Sequence, residues 1–130
     1  MTRDFFSEVF SGKKKVMFVY AHPDDAEMYS GGTIARLKKE GFEVRHVKMT
    51  MGNKGSRQED YSEVELAEIR ETEDEAGLEV LGLTPQDSLN LNLGDGEVAN
   101  DLATIGKLVR EIRSFRPDII VTHNPEKVIV

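Results

Sequence analysis

Apolar positions along the chain fall into blocks of two kinds. The first is a dense run, typified by Val16-Met17-Phe18-Val19-Tyr20-Ala21. A nearly continuous run of that length predicts a strand buried on both faces, as in a parallel sheet. Phe42 to Thr50 predicts a second strand and Ser88 to Asn92 a short third one. Asp118-Ile119-Ile120-Val121-Thr122 predicts a fourth, its apolar core again buried on both faces. The second kind of block repeats at helical spacing. Leu102, Ile105, Leu108, Val109 and Ile112 form a clean apolar stripe. Leu66, Ile69, Ala76 and Val80 mark the buried stripe of a long helix from about Glu63 to Leu81, with Ser62 and Glu65 spaced for a capping box and Gly82 as the stop. Glu73 falls on that stripe, where a charge needs a partner. Ser30-Gly31-Gly32-Thr33 opens a further helix that runs through Glu40 and closes at Gly41. Residues 51–62, with Gly52, Gly55, Ser56 and Ser62, read as a loop.

Strands and helices therefore alternate as βαβαβαβ. That order predicts an α/β fold: a doubly wound, Rossmann-like, mostly parallel sheet with helices on both faces and right-handed crossovers. In such sheets the ligand sits beyond the carboxyl ends of the strands, near the point where strand order reverses. The residues that follow Ala21, Thr50, Asn92 and Thr122 are the ones to inspect. A length of 130 residues fits one domain. The absence of cysteine removes any disulfide framework and any thiolate zinc site, and agrees with a reducing compartment. No apolar run approaches the length of a transmembrane span, and the first residues lack the apolar core of a signal peptide, so the expected location is cytoplasmic. A net charge of −7 argues against a general nucleic-acid binder. A small-molecule substrate and a homo-oligomer are the expected partners.

The richest chemistry follows the first strand. His22-Pro23-Asp24-Asp25 places an imidazole and two carboxylates directly after it. Zinc accepts histidine nitrogen and carboxylate oxygen, and catalytic zinc usually has three protein ligands. Pro23 stiffens the turn, so His22 and Asp25 can fold back onto one ion while Asp24 faces a water as its proton acceptor. The same spacing also suits a polar turn in which His22 pairs with a carboxylate, and spacing alone leaves both readings open.

Ala21-His22-Pro23-Asp24-Asp25-Ala26-Glu27, followed by Gly31-Gly32-Thr33-Ile34-Ala35, resembles the signature of the PIG-L/LmbE-like N-deacetylases. The resemblance spans essentially the whole chain. It implies a zinc-dependent hydrolase that removes the acetyl group of an N-acetylated amino sugar, of the N-acetylglucosamine type. It implies that His22 and Asp25 are zinc ligands and that Asp24 is the general base; iron, cobalt or manganese also suit such ligands. By the same resemblance Arg70, three residues before Glu73 on the long helix, contacts the sugar. Arg57, in the loop after strand two, and Asp95, in the turn after strand three, are further substrate contacts. An Arg70–Glu73 ion pair, an exposed loop arginine and a turn-forming aspartate explain the same three positions without substrate.

The chain departs from the family after strand four. The third ligand is expected in a His-Pro-Asp-His-like segment there, whereas the sequence reads Thr122-His123-Asn124-Pro125-Glu126. Residues 1–130 are therefore expected to be the N-terminal part of a single deacetylase domain, broken off after the fourth strand. Two other readings stay open: a catalytically incomplete sugar-binding or regulatory fragment of the same fold, and a phosphoacceptor receiver domain. His46, inside strand two, reads as structural, while the role of His123 is undecided.

Overall fold

The computed structural model describes residues 3–52 and 62–126. In chain order the elements are α1 (Phe5–Phe10), β1 (Lys15–Tyr20), α2 (Asp25–Lys39), β2 (Glu43–Lys48), α3 (Glu63–Val80), β3 (Ser88–Asn90), α4 (Leu102–Phe115) and β4 (Ile119–Thr122). The strands form one parallel sheet in the order β3-β2-β1-β4. This is the doubly wound α/β arrangement that the alternation predicts. The order reverses between β1 and β4, so the crevice at the carboxyl end of β1 is the topological switch point.

The strand β1 is central and alternates between two cores, as a period of two requires. Val16, Phe18 and Tyr20 pack with Val44, with Ala26, Ile34 and Leu37 of α2, and with Leu78 of α3. Met17 and Val19 face the other way, against Val47, Phe115, Leu108 and Ile112, so α4 covers the second face. Among the described residues the fourth strand is an edge strand, and it is less buried than predicted, with Ile119 and Val121 half-buried against the first core and Ile120 45% exposed.

Two helices also differ in detail. The helix α2 begins at Asp25, not at Ser30, so the Gly31-Gly32 pair lies inside it. Asp25 and Glu27 in its first turn suit the positive end of the helix dipole. The helix α3 starts at the predicted capping box, with Ser62 and Glu65 each satisfying the other's backbone N–H. Its buried face is rotated from the predicted stripe, however. Leu66, Asp74 and Leu78 are buried, Glu73 is exposed, and Val80 is 85% exposed. Apolar residues are scattered round this helix, and the row spaced by four residues from Leu66 wins because it lays Leu78 on the core.

His46 is fully buried in β2, between Phe18 of β1 and Ser88 of β3 in the sheet register, and neither ring nitrogen has a hydrogen-bond partner. This agrees with a structural histidine. Burial, with Lys48 adding a nearby positive charge, pushes its pKa down to about 3. The unfolded chain binds a proton at this ring near its ordinary value of 6.5, whereas the folded chain refuses it until about 3. Stability from this group is therefore lost as the pH falls through that window. Thermal unfolding of wild type and His46→Met is expected to show a melting-temperature gap that moves in favour of the variant as pH is lowered; parallel pH curves would count against a neutral buried ring.

Candidate functional site

The carboxyl edge of the sheet continues as a hydrogen-bonded ladder beyond the strands themselves. Met49 and Thr50 donate to the carbonyls of Tyr20 and Ala21, each at 3.0 Å, and Leu93 donates to Met49 at 3.0 Å. The Thr50 hydroxyl adds a bond to the Ala21 carbonyl at 3.1 Å. This frame fixes the departure points of three loops, the ones carrying His22, Gly52 and Asp95.

After Ala21 the chain turns through His22-Pro23-Asp24 into α2. The His22 backbone N–H donates to Asp25 Oδ2 at 2.9 Å, which folds the Asp25 carboxylate back onto the turn. Asp24 is the N-cap of α2, yet its side chain makes no capping bond. Its carboxylate instead lines a cavity of about 280 Å³. His22, Pro23, Glu27, Met51, Gly52, Arg70, Glu73, Asp74 and Asp95 complete the lining. Gly52 has φ +67°, a left-handed conformation that favours glycine. A Cβ built there would lie 3.6 Å from the His22 ring, so the bend at Gly52 forms one wall for the imidazole.

The His22 ring has a carboxylate beside each nitrogen. Nε2 lies 2.9 Å from Asp95 Oδ1, and Nδ1 lies 3.7 Å from Asp25 Oδ2. A carboxylate only accepts, so in the neutral ring Nε2 donates to Asp95 and the lone pair is left on Nδ1. Nδ1 and Asp25 Oδ2 are thus a nitrogen and an oxygen donor facing one another, the donor chemistry that zinc accepts. Two donors are fewer than the three that catalytic zinc usually takes, and among the described residues no group of three histidines or carboxylates is arranged to hold an ion. The polar-turn reading of His22 is realised as well, since the ring pairs with a carboxylate, that of Asp95.

His123 follows β4 on the other side of the switch point. Its Nε2 accepts the Ala21 N–H at 3.1 Å and sits 3.4 Å from Asp25 Oδ2. Its ring meets Tyr20 edge-on, with centroids 5.0 Å apart. The tail of β4 is thereby tied to the start of the His22 turn. Arg70 lines the cavity and also reaches Glu73 at 3.5 Å, so the ion-pair and pocket readings of this arginine coexist. Arg57 lies outside the described residues.

Sequence reasoning missed the floor of the cavity. Asp74, not its neighbour Glu73, is the buried acid of α3, and it pairs with Lys48 at the end of β2. Burial raises the Asp74 pKa, and Lys48 opposes that rise. Beside it Glu27 is half-buried, with one carboxylate oxygen unpartnered and directed at Gly77. A Cβ at Gly77 would come within 2.6 Å of that oxygen, so a side chain there would push the Glu27 carboxylate aside. Burial, then the nearby charges of Asp74 and Asp24, pushes Glu27 up to about 7. The strand around Lys48 reads Glu43-Val44-Arg45-His46-Val47-Lys48, and its mixed polarity gave no signal for this buried pair.

Residues 17–129 match the GlcNAc-PI de-N-acetylase (PIG-L) family. The chain belongs to that family. Its similarity to the diacetylchitobiose deacetylase of Thermococcus kodakarensis is 33% identity, over 92% of this chain and 44% of that protein. The mycothiol S-conjugate amidase of Streptomyces coelicolor is 31% identical, over 85% of this chain and 44% of its own. Among solved structures, the N,N′-diacetylchitobiose deacetylase of Pyrococcus horikoshii superimposes with a TM-score of 0.81 at 32% identity, over 92% of this chain and 50% of that one. The chain spans about half the length of these relatives. Membership in the de-N-acetylase family removes the receiver-domain reading.

The buried Lys48–Asp74 pair, whose aspartate lines the cavity, has a testable energetic signature. Lys48→Met leaves the Asp74 carboxylate buried without its cation and is expected to cost about 3 kcal/mol in denaturant unfolding. Adding Asp74→Leu is expected to recover most of that loss. A double variant no more stable than the single one would show that the pair does not act as a unit.

Proposed function

We propose that this chain carries the catalytic half-site of a metal-dependent hydrolase that removes the acetyl group from an N-acetylated amino sugar of the N-acetylglucosamine type. The observation that carries the reading is the convergence of His22, Asp24 and Arg70 on one cavity at the switch point of the sheet, with Asp25 beside the His22 ring. Family membership, and the deacetylase and amidase names of the relatives, give that cavity its reaction class.

In this reading His22 Nδ1 and Asp25 Oδ2 hold a divalent metal, zinc being the first choice for nitrogen and carboxylate donors. When bound, such an ion supplies Lewis-acid polarisation of the acetyl carbonyl and lowers the pKa of water. Asp24 takes a proton from the attacking water as a bond forms to the carbonyl carbon. It returns that proton to the amine nitrogen as the carbon–nitrogen bond breaks. The products are acetate and a free amino sugar. Arg70 orients the sugar from α3, its guanidinium donating to ring hydroxyls or to the group beyond them. Arg57 is assigned a similar role on the strength of the resemblance alone. A second reading, a sugar-binding module of the same fold without turnover, suits the two donors found among the described residues, and acetate release separates the two.

His22→Ala and Asp25→Ala are each expected to abolish stoichiometric zinc, measured by metal analysis after dialysis; full occupancy in both would end the metal assignment. Asp24→Asn is expected to keep the metal affinity of the wild type and lower kcat by about 10² or more. Loss of metal with activity in that variant would make Asp24 a ligand instead. Arg70→Ala is expected to raise KM for an N-acetylglucosamine derivative with little change in melting temperature, whereas a large loss of stability with unchanged KM would leave it as the partner of Glu73.

A further inference from the structure

We infer that Asp95 is a positioning residue for His22: it fixes the imidazole as the Nε2–H tautomer and so presents the Nδ1 lone pair towards Asp25. The resemblance assigns Asp95 to substrate and it lines the cavity, but its carboxylate is also engaged by the His22 ring.

Asp95 Oδ1 lies 2.9 Å from His22 Nε2, and the Asp95 side chain is only 13% exposed. A neutral imidazole offers one donor and one acceptor nitrogen. With Nε2–H engaged by a carboxylate, the lone pair resides on Nδ1, the atom 3.7 Å from Asp25 Oδ2. The opposite tautomer would set a lone pair against the Asp95 oxygen and a proton between His22 and Asp25. A hydrogen-bonded carboxylate behind a ligating imidazole is the arrangement that orients the ring and raises its basicity.

The backbone carries Asp95 towards this place. Leu91 and Leu93 donate to Lys48 and Met49 at 2.8 and 3.0 Å, which carries the chain along β2 beyond the end of β3. Asn92 adopts a left-handed φ of +55° between them, and its N–H is taken up by Asn90 Oδ1 at 2.6 Å. A turn closed by Glu97 N–H on the Gly94 carbonyl, at 2.9 Å, then holds Asp95 over the ring. Gly52 and Pro23 bracket the same region, with Gly52 against the His22 ring. His22 is therefore bracketed by Asp95 at Nε2 and by the bend at Gly52 against its ring.

The test has one arm independent of metal and one arm that rests on the proposed metal site. The chain has three histidines, so long-range proton–nitrogen correlation spectra at about pH 8.5, well above the ordinary imidazole pKa, resolve each ring, and loss of one set in His22→Gln assigns it. Wild type is expected to show His22 as the Nε2–H tautomer. Asp95→Ala is expected to shift it towards the Nδ1–H form and to weaken zinc binding by about 10–100-fold in competition with a chromophoric chelator. Asp95→Asn, whose amide oxygen still accepts, is expected to keep the tautomer and most of the affinity, and it serves also if the alanine variant fails to fold. An Nδ1–H ring in the wild type would overturn the inference. So would an alanine variant that keeps both tautomer and zinc affinity and changes only KM. If wild type binds no zinc while the tautomer follows Asp95 as stated, the positioning role stands and the metal reading of the site falls.

Discussion

The burial of β1 on both faces is the constraint on which the rest of this structure depends. Val16, Met17 and Phe18 are fully buried, and Val19 and Tyr20 nearly so. Each such side chain contributes about 1.5–3 kcal/mol relative to exposure, so these five together match the whole net stability of a typical domain. A strand this apolar has no solvent face, so it must sit inside a sheet with helices above and below. Its central place, between β2 and β4, then puts its carboxyl end at the reversal of strand order. Ala21, the next residue, is where the chain first meets water, and His22 to Asp25 follow at once.

The two ends of the sheet handle polar groups differently. At the amino end Asp118 Oδ2 accepts the Lys14 and Lys15 N–H groups at 2.8 and 3.0 Å, and these bonds hold its carboxyl below the usual range. That is a closed, satisfied arrangement. At the carboxyl end acids accumulate with fewer internal donors. Asp74 and Glu27 both have raised pKa values because burial penalises their charged forms, and each has a buried oxygen without a partner. Stability alone does not favour such groups, and perturbed carboxylates beside a cavity are a mark of sites that do chemistry.

The relation to the de-N-acetylase relatives sharpens this picture. About half the length of those proteins aligns with this chain, and that half includes the cavity, the proposed base and one nitrogen and one oxygen donor. The described residues also include β4 as an open edge, and His123 as the link between that edge and the His22 turn. Geometry at the switch point is thus built from both flanking strands, not from the His22 loop alone.

Much of this was legible in the sequence. The α/β alternation follows from the contrast between dense apolar runs and helical stripes. The Ser62–Glu65 capping box is local chemistry, and local chemistry survives folding. The cluster after Ala21 stands out because His-Pro-Asp-Asp cannot continue a buried strand. What the sequence left open were contacts between distant segments. Whether Glu73 or Asp74 is buried depends on the rotation of α3, which packing against α2 and β1 sets and which a helix with scattered apolar residues does not declare. Lys48 finds Asp74, and His22 finds Asp95, across 26 and 73 residues of chain. Among the described residues Ile120 of β4 is 45% exposed, although an apolar run by itself assigns it to the core. Periodicity records which way a side chain points within its own element; which partner waits there is decided only when the elements pack.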